Sequence, residues 1–282
     1  MGKTFILAGL LTTLMPLGCA LAPEQKRVAG FTFVETNASG YPEYTHDASG
    51  IEFVWLPGGS FHMGSPADEP VRASDEGPVH TVSLRPFLIA KYEVTQAEYA
   101  SVMRAPPAGL TATPSENAGP GPASEQLPVE SVSWDNLRHP DGFLARTHLS
   151  LPSEAQWEYA CRAGTSGEFA GTGNLDNMGW YLDNYAPGLP TRQVGTKQPN
   201  QFGLHDMHGN ISEWCEDVYK SDFYADEVPG FDPLSTSGSR VRVHRGGASI
   251  AAASVCRSAY RNLSLPSSRD SSFGFRPVSP RP

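Results

Sequence analysis

The stretch LPSEAQWEYACRAG, residues 151–164, carries a helix together with its start and stop signals. Ser153 and Gln156 stand three residues apart as a capping box, the serine oxygen taking one orphan N–H and the glutamine reaching back to another. Gly164 stands where a left-handed C-terminal residue is wanted, because a side chain is strained in that conformation. Between these ends Trp157, Ala160 and Cys161 recur at i, i+3 and i+4, which predicts one shared buried face. Cys161 is accordingly read as a small core residue rather than a reactive thiol, since buried cysteines are usually inert.

Working outward, a second capped helix is predicted over Gln96 to Met103, with Thr95 as cap, Glu98 returning the bond, and Val94 and Tyr99 as a hydrophobic staple. VSWDNLRHPDGF holds the pattern of another short helix, weakened by Pro140 and Gly142. FVWLPGGSFHMGS, Phe53 to Ser65, reads as two strands joined by a Pro-Gly-Gly turn in a β-hairpin. Residues 81–84 alternate apolar and polar as a strand that Pro86 breaks, and FGFRPV reads as a terminal strand. The chain divides into an export signal (1–22), a polar N-terminal arm (23–50) and one domain (51–282), with a Pro- and Gly-rich mobile insertion at 104–126. With 28 Gly and 25 Pro punctuating the chain, little regular structure is expected.

Five Trp, 10 Tyr and 13 Phe supply a sizeable core. A formal charge of -9 argues against nucleic acid as a partner, because phosphate-backbone binding needs concentrated Lys and Arg. The first residues, MGKTFILAGLLTTLMPLGCALAP, set Lys3 before an apolar run too short for a lasting membrane anchor, the pattern of an export signal. Two processing outcomes fit: lipidation at Cys19, the only route to a membrane, or release after Ala22. The protein is expected to be periplasmic, an outer-membrane lipoprotein or secreted. Export leaves Cys161, Cys215 and Cys256 in an oxidising compartment, where two can pair and one is left over. Neither CxxC nor HExxH occurs, which removes the commonest zinc and thioredoxin-type signatures.

Seven motifs then follow in order: WLPGGSFHMGS, KYEVTQAEY, PVESVSW, LPSEAQWEYACRAG, NQFGLHDMHGNISEW, HRGG and GFRPV. Together, from Phe53 to Val278, they resemble the formylglycine-generating-enzyme, or sulfatase-modifying-factor, family. The resemblance implies an α+β, C-type-lectin-like fold with sparse secondary structure. It also implies a chemistry to test: well-studied members oxidise a cysteine of a Cys-x-Pro-x-Arg peptide, using O₂ and copper(I) held by two thiolates. A soft monovalent cation suits two soft sulfurs. This chain departs from that pattern. Counting from Arg245-Gly246-Gly247, the family's serine is Ala248, the first ligand position is Ala251 and only the second, Cys256, is a cysteine. The tryptophan expected inside GN-x-x-EW is replaced by Ser212. Copper is therefore not expected. A further exported branch, resembling the pyoverdine-maturation factor, works without the copper pair.

The resemblance also implies a calcium site, mapped onto Asp206, the carbonyls of Gly209 and Ile211, and Glu213. Hard oxygens with carboxylate charge suit Ca²⁺. A second calcium loop is not recognisable around Asn174, Asp176 and Asp183. His205, His208 and Asp206 are read, apart from that, as surface polar groups. Arg245, Arg257 and Arg261 are read first as structural braces for buried carbonyls or carboxylates, and also as candidates of which one binds a ligand beside a cleft. Cys256 has three candidate states, in order: a buried free thiol, a disulfide with Cys215 or Cys161, or a residual reactive ligand. The expected function is a calcium-braced binding or maturation module for a peptide, protein or glycan. The alternative is an oxidase of the formylglycine-generating type rebuilt around Cys256.

Overall fold

A computed structural model describes residues 27–106, 110–111, 113–115, 125–185, 190–225 and 230–279. The expected export signal with Cys19, and residues 107–109, 112 and 116–124 of the expected insertion, lie outside the described residues. The described residues begin with strands where an irregular arm over 23–50 was expected. β1 (Phe31–Thr36) and β2 (Pro42–His46) pair antiparallel and join β3 (Glu52–Leu56) in one sheet. Phe31, Tyr44 and Phe53 bury together, so the arm is part of the domain. β1 lies at the sheet's edge with mostly exposed or half-buried residues, which is why no clean alternation marks it.

β4 (Gly59–Met63) is not the hairpin partner of β3: it pairs with β5 (His80–Leu84), while β3 pairs with β6 (Phe87–Ala90). Pro57-Gly58-Gly59 thus carries the chain from one sheet to another. Gly58, at φ 70, packs against the backbone of the β5–β6 link, where a Cβ would lie 2.6 Å from the Arg85 carbonyl carbon. Pro86 interrupts the strands as the sequence predicts, because it has no N–H to give.

Helix α1 (Gln96–Val102) has its capping box closed by Thr95 and Glu98. α2 (Trp134–Arg138) starts at a Ser133 cap, and α3 (Phe143–Thr147), absent from the sequence reading, follows after a turn. α4 (Glu154–Arg162) is capped by Ser153 and Gln156 as expected, and it ends with Ala163 as well as Gly164 in the left-handed region. Its burial is wider than the predicted stripe, since Glu154, Glu158 and Arg162 are also buried. α5 (Leu175–Met178) leads into β7 (Gly179–Trp180), parallel to β8 (His208–Gly209).

β9 (Ser212–Val218) is central in the second sheet, between β10 (Arg242–Arg245), whose outer neighbour is β11 (Asn262–Ser264), and β12 (Phe273–Gly274). β13 (Val278–Ser279) returns to β6 in the first sheet. The expected terminal strand FGFRPV is therefore two short strands in different sheets, joined through Phe275, Arg276 and Pro277. One apolar core gathers around Trp157, and another around Trp214, Phe143 and Phe275.

Candidate functional site

The turn ahead of β9 is tightly wound: Asp206, Gly209 and Asn210 take φ of 58, 87 and 56. Gly209 is sterically required, because a Cβ there would run into the Trp180 carbonyl of β7. Asp206 is buried. Its Oδ2 accepts the Gly195 N–H at 2.6 Å, while Oδ1 has no hydrogen-bond partner among the described residues. Burial pushes its carboxyl up to about 6. Glu213, from β9, accepts the Trp157 indole N–H at 2.7 Å and is gripped by Arg276 at 2.8 to 3.1 Å. Each Glu213 oxygen thus accepts two of these bonds, which occupies the about four lone-pair sites of the carboxylate.

Sequence reading missed the third acid of this cluster. Glu93, buried in KYEVT, accepts the Ile211 N–H at 3.1 Å and the Asn210 amide at 2.5 Å. Burial, with the charges of Asp206 and Glu213, pushes its carboxyl well above the usual range. Three carboxylates therefore share one guanidinium. Among the described residues, no three His, Cys, Asp or Glu side chains converge as metal ligands, so a cation here would need backbone carbonyls in its shell.

The histidines correct the expectation of surface polar groups. His208 is fully buried: Nε2 accepts the Ala170 N–H at 3.0 Å, so Nδ1 carries the proton donated to the Cys256 carbonyl at 2.8 Å. Burial pulls its imidazole down to about 4, keeping it neutral. His205 donates through Nδ1 to the Lys197 carbonyl at 2.9 Å and lies against Tyr92. Both serve as internal fasteners.

Cys256 is completely buried in a nest with Leu175 and Tyr181, against which Ala251 and Ala253 pack. Gly247 closes another side, where a Cβ would lie 2.5 Å from the Cys256 sulfur. Burial pushes the thiol up to about 12, so the thiolate is absent at neutral pH. Cys161 and Cys215 are likewise buried and free, the first also pushed up to about 12. Near the remaining family positions, Ser249 donates to the Pro190 carbonyl and the Ser212 hydroxyl bonds His244 at 2.6 Å.

Residues 40–280 match the model of the sulfatase-modifying factor enzyme 1-like domain. The chain belongs to that family. It is 31% identical to the formylglycine-generating enzyme of Streptomyces coelicolor over 79% of this chain and 87% of the relative. The mouse enzyme of the same name is 28% identical over 86% and 78%. Among solved structures, Treponema denticola variable protein 1 superposes with TM-score 0.69 at 27% identity, covering 85% of this chain and 98% of that one. PvdO from Pseudomonas aeruginosa gives 0.68 at 27%, covering 88% and 97%. The fold is the α+β, C-type-lectin-like architecture of these sulfatase-modifying-factor proteins.

In this family member the three candidate arginines are structural. Arg245 is buried between Glu158, at 2.5 Å, and the carbonyls of Ser258, Ala259 and Tyr260. Arg257 grips Glu76 and Glu69, and Arg261 forms a bidentate pair with Glu154 at 2.8 Å. A loop-rich interior leaves many carbonyls unpaired, and a five-donor guanidinium satisfies several at once. Arg192 is half-buried, stacked 5.0 Å from the Trp180 ring centroid and without a carboxylate partner among the described residues.

Proposed function

We propose that this protein is an exported, calcium-braced binding or maturation module of the sulfatase-modifying-factor family that works without the two-cysteine copper site. One observation carries the reading: the lone thiol at the family's ligand position, Cys256, is sealed in an apolar nest opposite an alanine. A copper(I) ion needs a second soft anionic donor, and burial opposes forming even the first thiolate. The residues present do not suit that ion. Calcium fits better: Asp206 Oδ1 is a buried, orphaned oxygen in a cluster with surplus negative charge, and Ca²⁺ takes carboxylates and carbonyls together. Asp206 and Glu213 would hold it with the carbonyls of Gly209 and Ile211, and the ion would fix the loop rather than react.

The ligand is a peptide, glycan or partner protein at a surface cleft, and residues 1–22 direct export, with Cys19 as the lipid anchor if one is attached. The decisive experiment incubates a Cys-x-Pro-x-Arg peptide with the protein, copper(I) and O₂. The peptide mass is expected to stay unchanged. Conversion of its cysteine to formylglycine would establish instead the oxidase activity named for the Streptomyces coelicolor relative.

A further inference from the structure

A cavity of 440 Å³ opens between β4 and the C-terminal end of α4, and it shares no residue with the Asp206 loop or the Cys256 nest. One wall is aromatic: Phe61, Tyr159, Phe202 and Tyr41 form a chain of rings with centroids 5.5, 5.3 and 4.9 Å apart. These rings are fixed before any ligand arrives. Tyr159 donates its hydroxyl to the Gly58 carbonyl at 2.5 Å, and Asn200 holds the Phe202 N–H at 3.0 Å. The rim is polar and carries no carboxylate or lysine among the described residues, with Ser60, His62 and Ser166 exposed and the Ser60 and Thr165 hydroxyls bonded to Ser83 and the Arg162 carbonyl at 2.7 and 2.8 Å.

The one guanidinium in the wall is already spent. Arg162 is buried against Glu158 at 2.8 Å and the carbonyls of Gly64 and Gly167 at 2.9 and 3.3 Å. A charged ligand would find no unpaired guanidinium here, and a purely apolar one would leave the exposed Ser166 and His62 groups of the rim unmatched. What matches both surfaces is a ring with polarised C–H groups on its face and hydroxyls at its edge. The C–H face meets the negative face of an aromatic ring, and the edge hydroxyls exchange hydrogen bonds with serine, threonine and histidine. The volume falls within the range usual for small-molecule sites, roughly 300–1,000 Å³.

We propose that this cavity binds a neutral saccharide of one or two pyranose rings. The assignment rests on the proposed reading of a ligand-binding cleft, which it narrows to one ligand class and one cavity, and it stands independently of metal and thiol chemistry. The test titrates the full chain calorimetrically with maltose, cellobiose and N,N′-diacetylchitobiose, and separately with N-acetylphenylalaninamide as an aromatic peptide probe. At least one disaccharide is expected to bind saturably in the millimolar range or tighter. Phe61→Ala should weaken it at least ~10-fold, about 1.4 kcal/mol. Ser166→Trp, at an exposed position on the rim, should abolish it while leaving the unfolding curve unchanged. Saccharide binding that survives both substitutions, titration of the phenylalanine amide alone, or no heat from any probe would each overturn the proposal. None of these results depends on copper or calcium, so they leave the preceding reading to its own test.

Discussion

Around α4, the carboxylates of Glu154, Glu158 and Asp217 lie buried beside the guanidinium groups of Arg162, Arg245 and Arg261. Around the Asp206 turn, Glu93, Asp206 and Glu213 lie equally buried, with Arg276 as the one guanidinium paired to them among the described residues. With every carboxyl ionised, the first cluster is neutral by its own side chains. On the same count the second is short of two positive charges, the charge of one divalent ion, and without such an ion burial and the neighbouring acids favour the protonated form of Glu93. Burial of ions is tolerated where charges and hydrogen bonds are matched, and it is costly where they are not. The two clusters differ in their chemistry for that reason: arginine completes one, and a hard cation is called for by the other.

The largest effect is expected from breaking the balanced cluster. Arg245→Met should leave Glu158 Oε2 and three carbonyls without this donor, with Arg162 still on Oε1, and cost about 3–5 kcal/mol in urea denaturation. A loss below about 1 kcal/mol would mean that charge balance is not what holds α4.

The unbalanced cluster should show itself in pH dependence when calcium is removed with chelator. Asp206 has its folded pKa raised to about 6, above the ordinary value, so the folded state holds a proton that the unfolded state releases. Its contribution is therefore fully present below the unfolded pKa, near about 4, and is lost as pH rises through about 6. Lowering pH from 7 to 5 should raise the stability of metal-free protein by about 1–2 kcal/mol from this group, and Asp206→Asn should flatten the response.

A smaller effect separates helix formation from charge pairing. Ser153→Ala removes the cap of α4 but leaves both acids in place, and should cost about 1 kcal/mol by thermal or urea unfolding. The smallest expected effect is none at all: at pH 8, iodoacetamide should leave Cys161, Cys215 and Cys256 unlabelled in the native protein and label all three in denaturant. Rapid native labelling of Cys256 would contradict its sealed nest.

What the sequence disclosed follows the range of the forces involved. The capped helices α1 and α4 were legible because a capping box and a 3.6-residue stripe are local. β1 escaped because an edge strand buries too little to alternate, and α3 because five residues carry no period. The Pro-Gly-Gly turn was visible, but a turn does not say which sheet its second strand joins. At the site, the ordered motifs gave Asp206, Glu213 and Cys256 as positions. Glu93 lies 113 residues before Asp206 and becomes its neighbour only through folding, and the orphaned Oδ1 is a property of packing. For Arg245, Arg257 and Arg261 the sequence suggests bracing but does not show which acids occupy them: Glu158, Glu76 and Glu154 are supplied by distant segments.

The balance between the two clusters is tested most directly by titrating chelator-treated protein with CaCl₂, following heat and melting temperature together. The account predicts one equivalent of Ca²⁺ and a stabilisation of about 2.7 kcal/mol when free ion reaches ~100 times Kd, with Asp206→Ala abolishing both signals. No heat, and identical melting of wild type and Asp206→Ala with or without the ion, would contradict it.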